Sequence, residues 1–239
     1  RMTEKAAHIR LSDLRGFHRL ASDATLGVTD LVEAMHAAIA RPLGVSGGSP
    51  KGRTRGITGL AYRSVRGVTR LVGLGVEALF GLLPAPAAPT RSSPQREAVL
   101  AALNGVWGDH LAASANPLAI GMCLRANGVP LTIDRDALAG ALADPGRRLL
   151  VLVHGLCMND LQWLRAGHDH GAALARDLGY TPIYAHYNSG RHVSTNGREL
   201  GDLLEKLVRA WPHPIERLAI VGHSMGGLVA RSACHYAAL

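Results

Sequence analysis

The sequence predicts an α/β fold: short apolar strands joined by helices in a mostly parallel sheet, preceded by a pair of N-terminal helices. Three observations predict it. Leu149-Leu150-Val151-Leu152-Val153 and Leu218-Ala219-Ile220-Val221 are continuous apolar runs bounded by polar residues or glycine, the pattern of strands buried on both faces. Between and after them, segments with helical spacing alternate with further short apolar runs. The first third lacks such runs, and its apolar residues recur at helical spacing in two copies. With 239 residues, 47% of them hydrophobic, the chain can build a real core and suits one or two domains.

The N-terminal third carries a repeat offset by 40 residues, with 11 identities over 29 aligned positions. Gly27-Val28-Thr29 matches Gly67-Val68-Thr69, and Leu31-Val32 matches Leu71-Val72. Val28, Leu31, Val32, Met35 and Ile39 form one helical stripe; Val68, Leu71, Val72, Val76 and Leu79 form another. Breakers follow each copy, Pro42 with Gly44 and Pro84 with Pro86. Asp23 and Asp30 of the first copy align with Arg63 and Arg70 of the second. Residues 1–83 therefore read as a helical hairpin whose helices pack together, with a flexible Gly44–Gly52 connection, and residues 84–94 as a proline-rich linker.

Residues 95–239 read as the α/β domain. A helix over 95–115 begins near Pro94, and its stripe of Val99, Leu100, Leu103, Val106, Trp107 and Leu111 should cover a neighbouring face. Strands are expected within 118–124 and 130–133, then a helix Arg135–Ala143 capped by Asp134 and ended by Pro145-Gly146. After the 149–153 strand come a helix Trp163–Leu178, a strand Thr181–Tyr187, a helix capped by Ser194 or Thr195 running to Arg209, and the 218–221 strand.

Charge and composition narrow the function. The net charge is +8, with 13 Lys/Arg against 6 Asp/Glu in residues 1–94 and 13 against 12 in the rest. The basic character thus belongs to the N-terminal third. Arg63, Arg66 and Arg70 share a helical face there, preceded by Lys51, Arg53 and Arg55, so contact with an anionic membrane surface is one expectation. The blander reading has the apolar stripes packed and the arginines solvated. Aromatics are only 4% of the chain, which argues against a nucleic-acid partner. Cys123, Cys157 and Cys234 show no metal spacing and read as small buried hydrophobes; neither metal nor organic cofactor is implied. No signal peptide or transmembrane run is visible, and the expected location is the cytoplasm, with membrane association through the basic helix.

The chemistry is carried by Gly222-His223-Ser224-Met225-Gly226-Gly227, lying between a strand and a helix. Strand, Gly-x-Ser-x-Gly, helix is the setting of a nucleophile elbow, a sharp turn that lifts a serine hydroxyl clear of the sheet. Gly222 and Gly226 supply room at the turn, and Gly227 lets the helix approach the sheet. Upstream, His154-Gly155-Leu156 follows the 149–153 strand directly. Acyl transfer needs two amide donors aimed at the developing oxyanion, one just after the nucleophile and one on an upstream strand loop; Met225 and Leu156 hold those positions. Asn188, Arg191 and His192 sit in a polar loop at the C-terminal end of a strand, where open α/β sheets place ligands, and are candidate substrate contacts.

These motifs resemble the α/β-hydrolase superfamily. Within it, Val153-His154-Gly155-Leu156, Tyr187-Asn188-Ser189-Gly190 and Gly222–Gly227 are similar to bacterial lipase-like and GPI inositol-deacylase-like esterases, over about residues 131 to 239. The resemblance implies Ser224 as nucleophile and Leu156 and Met225 as oxyanion hole. It also implies an acid and a histidine after the serine. The 15 residues beyond Ser224 hold no Asp or Glu and one histidine, His235, which is too far along its helix to return to the hydroxyl. The domain is therefore expected to hold the front part of such a sheet, its elbow strand on an open edge, and the chain alone to be inactive. The expected activity of the intact protein is hydrolysis of carboxylic, lipid-like esters through an acyl-Ser224 intermediate. The alternatives are an acyltransferase on the same fold, or a non-catalytic protein binding membrane or partner through its basic helices.

Overall fold

Two long helices, α1 (Leu11–Ala40) and α2 (Gly56–Leu82), make up the first of the chain's two units, Ile9–Pro89; the second is Thr90–Leu239. The structure, a computed structural model, describes residues 9–40, 53–54, 56–82, 92–142 and 144–238. Pro42, the Gly44–Gly52 connection, Lys51, Arg55, Pro84, Pro86 and most of the 84–94 linker lie outside the described residues.

The two helices do pack together, but not through their apolar stripes. The seam is ionic. Arg66 donates to Asp30 Oδ1 at 2.8 Å and to Glu33; Glu33 also accepts from the Thr54 amide at 3.0 Å and its hydroxyl at 2.9 Å. Arg15 and Arg19 close on Glu77 at the other end, each at 2.5 Å. Val28, Leu31, Val32 and Met35 of α1 and Val68, Leu71, Val72 and Leu79 of α2 are exposed. Asp30, which aligns with Arg70 in the repeat, meets Arg66, one helical turn away.

In the second unit a five-stranded sheet has the order β2-β1-β6-β3-β7: β1 (Cys123–Ala126), β2 (Val129–Pro130), β3 (Arg148–Val153), β6 (Thr181–His186) and β7 (Arg217–Gly222). β3 runs parallel to both β6 and β7, with Val153 opposite Ala185 and Gly222, while β1 is antiparallel to β6 and β2. The architecture is mixed α/β, with N-terminal helices ahead of the strands. The helices are α3 (Pro94–Ala113), α4 (Arg135–Ala141), α5 (His170–Leu178), α6 (Val193–Ala210) and α7 (Met225–Ala237). Leu149, Val151 and Val153 pack with Ile183 and Ala185 against Leu200, Leu204, Leu207 and Trp211 of the α6 region and Val229 and Ala233 of α7. α6 and α7 pack tightly at Gly197, where a Cβ would meet Ser232 Oγ at 2.2 Å.

Several elements fall elsewhere than the apolar spacing suggests. Asn127 and Gly128, both at positive φ, turn β1 into β2, a tight hairpin where two longer strands were expected. The expected helix Trp163–Leu178 is three pieces: a 3₁₀ turn Asp160–Trp163, a small hairpin of β4 (Leu164–Arg165) and β5 (His168–Asp169), then α5. Ala166 and Gly167, at φ 50° and 79°, make that hairpin's turn, and Asp169 caps α5 through the Ala172 amide. α3 buries Glu97, Leu100, Ala101, Asn104, Gly108 and Leu111, whereas Val99, Val106 and Trp107 of the expected stripe are exposed. Asp134 caps α4 as expected, accepting from the Asp136 and Ala137 amides. Cys123 and Cys157 are half-buried and Cys234 is exposed rather than buried. Among the described residues β7 pairs only with β3, and beside it Leu204, Val208, Leu218, Ile220 and Ala233 line an apolar groove.

Candidate active site

The chain leaves β3 toward β6 and later crosses back to the other side of β3 as β7. Reversals of this kind open a crevice at the C-terminal ends of the strands. The loop after β3 and the turn after β7 meet at such a point. The His223 amide donates to Val153 O at 2.9 Å, and the Gly226 amide to His223 O at 2.9 Å.

Ser224 stands between β7 and α7 with φ 52° and ψ −123°. A non-glycine residue at positive φ with that ψ is strained, and the strain persists because the surroundings over-determine it. Gly226 is the main constraint: a Cβ there would lie 2.2 Å from Val153 O and 2.5 Å from His154 O, both backbone atoms. Gly222 is held similarly, since a Cβ on it would lie 2.5 Å from Gly227 N, and a Cβ on Gly155 would lie 3.1 Å from His223 Nδ1. Gly227 is different. A Cβ on it would meet nothing closer than Gly222 O at 3.9 Å, so close helix–sheet approach is not what this position serves.

Ser224 is exposed, and its hydroxyl makes no capping bond to α7. Among the described residues no acceptor engages the backbone amides of Leu156 and Met225; Met225 opens α7, where amides have no partner within the helix. Helix N-termini of this kind favour negative charge. Trp163 stands edge-on to His223 at 6.4 Å and to His170 at 5.8 Å. His235 lies exposed on α7, as expected.

The loop after β3 is anchored from beneath. His154 is fully buried, stacked on Tyr187 at 4.3 Å; its Nδ1 donates to Gly155 O, and Tyr187 donates to His154 O at 2.6 Å. Burial drives the His154 pKa down to about 4. The unfolded chain binds this proton from about pH 6.5, the native protein only near pH 4, so stability falls as pH drops through that window. The shift corresponds to about 3 kcal/mol. Urea unfolding at pH 7 and pH 4 should show this loss, and His154→Gln should remove that part of the pH dependence.

The polar loop after β6 has a structural use that its sequence conceals. Asn188 is buried, donates to Gly108 O at 2.9 Å and accepts from the Gly190 amide, so its amide group is spent on packing rather than open to a substrate. Arg191 is paired with Glu199 at 2.8 Å. His192 is exposed and, rather than Ser194 or Thr195, caps α6, accepting from the Ser194 amide. Glycines in α3 bring that helix onto both loops: a Cβ on Gly105 would strike Cys157 Sγ at 2.2 Å, and one on Gly108 would strike Asn188 Oδ1 at 2.0 Å.

A buried polar cluster was not legible in the sequence. Glu97, Asp160 and His186, from α3, the 3₁₀ turn and β6, bring potential metal-ligating atoms within 4.8 Å of one another. Arg125 sits on both carboxylates, 3.0 Å from Glu97 and 3.1 Å from Asp160. Burial pushes the two acids up, but bonds from Ser92 and Arg125 to Glu97, and from His186 and Arg125 to Asp160, hold both below their ordinary range. The cluster is thus already supplied with a cation that ties α3 to the sheet.

Residues 144–238 match the family described as "Putative serine esterase (DUF676)". The matched segment contains β3, the loop after it and the whole Gly222–Gly227 turn. No curated protein and no solved structure matches the chain.

Proposed function

We propose that this protein is a serine esterase of the α/β-hydrolase type, cleaving carboxylic, lipid-like esters through an acyl-enzyme on Ser224. The observation that carries the reading is the backbone of Ser224, held at positive φ on an exposed strand-to-helix turn by the contact of Gly226 with the loop after β3. The similarity of residues 144–238 to serine esterases supports it. In this reading the Ser224 Oγ attacks the ester carbonyl, and the amides of Leu156 and Met225 receive the oxyanion. The alcohol then leaves and water resolves the acyl-enzyme. The base that activates Ser224, and the acid behind it, are proposed to lie outside the described residues.

The natively expressed protein should hydrolyse p-nitrophenyl esters, and Ser224→Ala should lower kcat by a factor on the order of 10⁴ or more. Unchanged turnover in Ser224→Ala would refute the assignment. Transfer of the acyl group to an added alcohol in preference to water would mark the enzyme as an acyltransferase using the same serine.

A further inference from the structure

Two residues of the loop after β6 bracket Leu156, the proposed oxyanion donor on the loop after β3. Before it, Tyr187 Oη donates to His154 O at 2.6 Å. After it, the Ser189 hydroxyl oxygen accepts from the Cys157 amide at 3.0 Å. Between these two anchors the chain reverses. The Met158 amide donates to Gly155 O at 3.3 Å, and Cys157, in the third place of this four-residue turn, has φ 57°, whereas Leu156 is not at positive φ. That is the pattern of a type II turn, whose third place favours glycine. A cysteine there is strained. The strain would be relieved by passing to a type I turn, which differs by a flip of the central peptide. That peptide carries the Cys157 N–H, the group that Ser189 engages. The hydroxyl of Ser189 therefore opposes the flip.

Ser189 is itself firmly held. It is 2% exposed. On one side of it, Asn188 O accepts from the Asn196 side chain at 2.9 Å, and the Asn188 side chain is bonded to α3. On the other, Gly190 lies against the backbone of α3, for a Cβ on it would meet Asn104 O at 2.1 Å. α3 also packs directly on the turn: a Cβ on Gly105 would lie 2.9 Å from both N and Cα of Cys157. The two proposed donors thus each adjoin a strained residue, Cys157 after Leu156 and Ser224 before Met225, and both strained residues are held by tightly packed surroundings.

We propose that Ser189 is a positioning residue for the oxyanion hole: by accepting from the Cys157 amide it keeps the Gly155–Met158 turn in the form that aims the Leu156 amide at the oxyanion. The assignment rests on the esterase reading of Ser224. Ser189 acts through the turn and touches no reacting atom. An amide aimed at the oxyanion acts chiefly in the transition state, so its loss of aim lowers kcat and leaves KM largely unchanged.

The test is steady-state hydrolysis of a p-nitrophenyl ester by the natively expressed protein, joined to amide hydrogen exchange followed by NMR. Ser189→Ala should lower kcat by about 10- to 10²-fold, less than the loss of a whole donor, and change KM by less than about twofold. Its Cys157 amide should exchange about tenfold faster or more, while the amides of β3 stay slow. Ser189→Ala/Cys157→Gly should recover most of the lost kcat, because glycine holds positive φ without help. A merely structural role for Ser189 would not be rescued by removing a second packed side chain. The proposal is overturned if Ser189→Ala turns over at the parent rate, if its loss lies in KM, if its Cys157 amide exchanges no faster, or if the glycine variant recovers nothing. A parent protein with neither turnover nor labelling of Ser224 would refute the esterase reading instead, and the role of Ser189 with it.

Discussion

Gly226→Ala should lower activity by a factor on the order of 10² or more and destabilise the α/β unit by several kcal/mol, whereas Gly227→Ala, one residue away, should be tolerated. The new methyl at 226 would sit 2.2 Å and 2.5 Å from two backbone carbonyl oxygens, those of Val153 and His154. Neither can rotate away, because Val153 belongs to β3 and accepts from the His223 amide, and His154 O accepts from Tyr187. The turn must lift off the sheet, moving Ser224 relative to the Leu156 amide by the order of an ångström, which costs on the order of 10²-fold in rate even where folding survives. At 227 the nearest atom is 3.9 Å away, and alanine is the better helix former by up to about 1 kcal/mol. Urea unfolding and ester turnover of the two variants check the contrast. Equal damage from both would mean that the tightness of the turn is not what holds Ser224.

Arg66→Leu should open the N-terminal hairpin. Among the described residues Arg66 is the sole cation on Glu33, and Glu33 is 2% exposed, so its removal leaves a buried carboxylate with only Thr54 as described partner. Breaking a buried pair on one side costs about 3–5 kcal/mol. Bonds from Arg66 and Thr54 hold the Glu33 carboxyl below its ordinary range against the opposing effect of burial. Glu33 therefore contributes stability that is present above the usual carboxylate pKa and lost as pH falls through its lowered value. Hydrogen exchange of peptides from α1 and α2 should quicken by about 10² to 10³-fold in Arg66→Leu. Replacing both residues, Arg66→Leu with Glu33→Leu, should restore much of the protection. Unchanged exchange in the single variant would contradict an ionic seam.

The legible parts of this chain are those where a local pattern has one structural solution. The runs at 149–153 and 218–221 are strands, as continuous apolar residues of that length bounded by polar residues or glycine suggest; the first is buried throughout, whereas Leu218 and Val221 of the second stay exposed, because among the described residues β7 pairs on one side only. Asp134 caps a helix because its side chain reaches the next amides. The misread parts depend on partners far away in sequence. Apolar stripes on α1 and α2 suggest a seam by their spacing alone, and nothing local to them reveals that Glu33 and Glu77 would find arginines across the hairpin. The buried face of α3 is set by Gly105 and Gly108 docking on the loops after β3 and β6, and glycines do not register in a hydrophobic stripe. Asn127-Gly128 was readable as a hairpin turn from its dipeptide alone. The Glu97–Arg125–Asp160–His186 cluster assembles from four separate elements, and no spacing could have gathered it.

Labelling with a fluorophosphonate bears most directly on the central proposal, that Ser224 is an activated nucleophile. The natively expressed protein should form one adduct, peptide mapping should place it on Ser224, and Ser224→Ala should form none. Absence of an adduct on the parent, or an adduct that survives Ser224→Ala, would contradict the assignment of this strained, exposed serine as the reacting group.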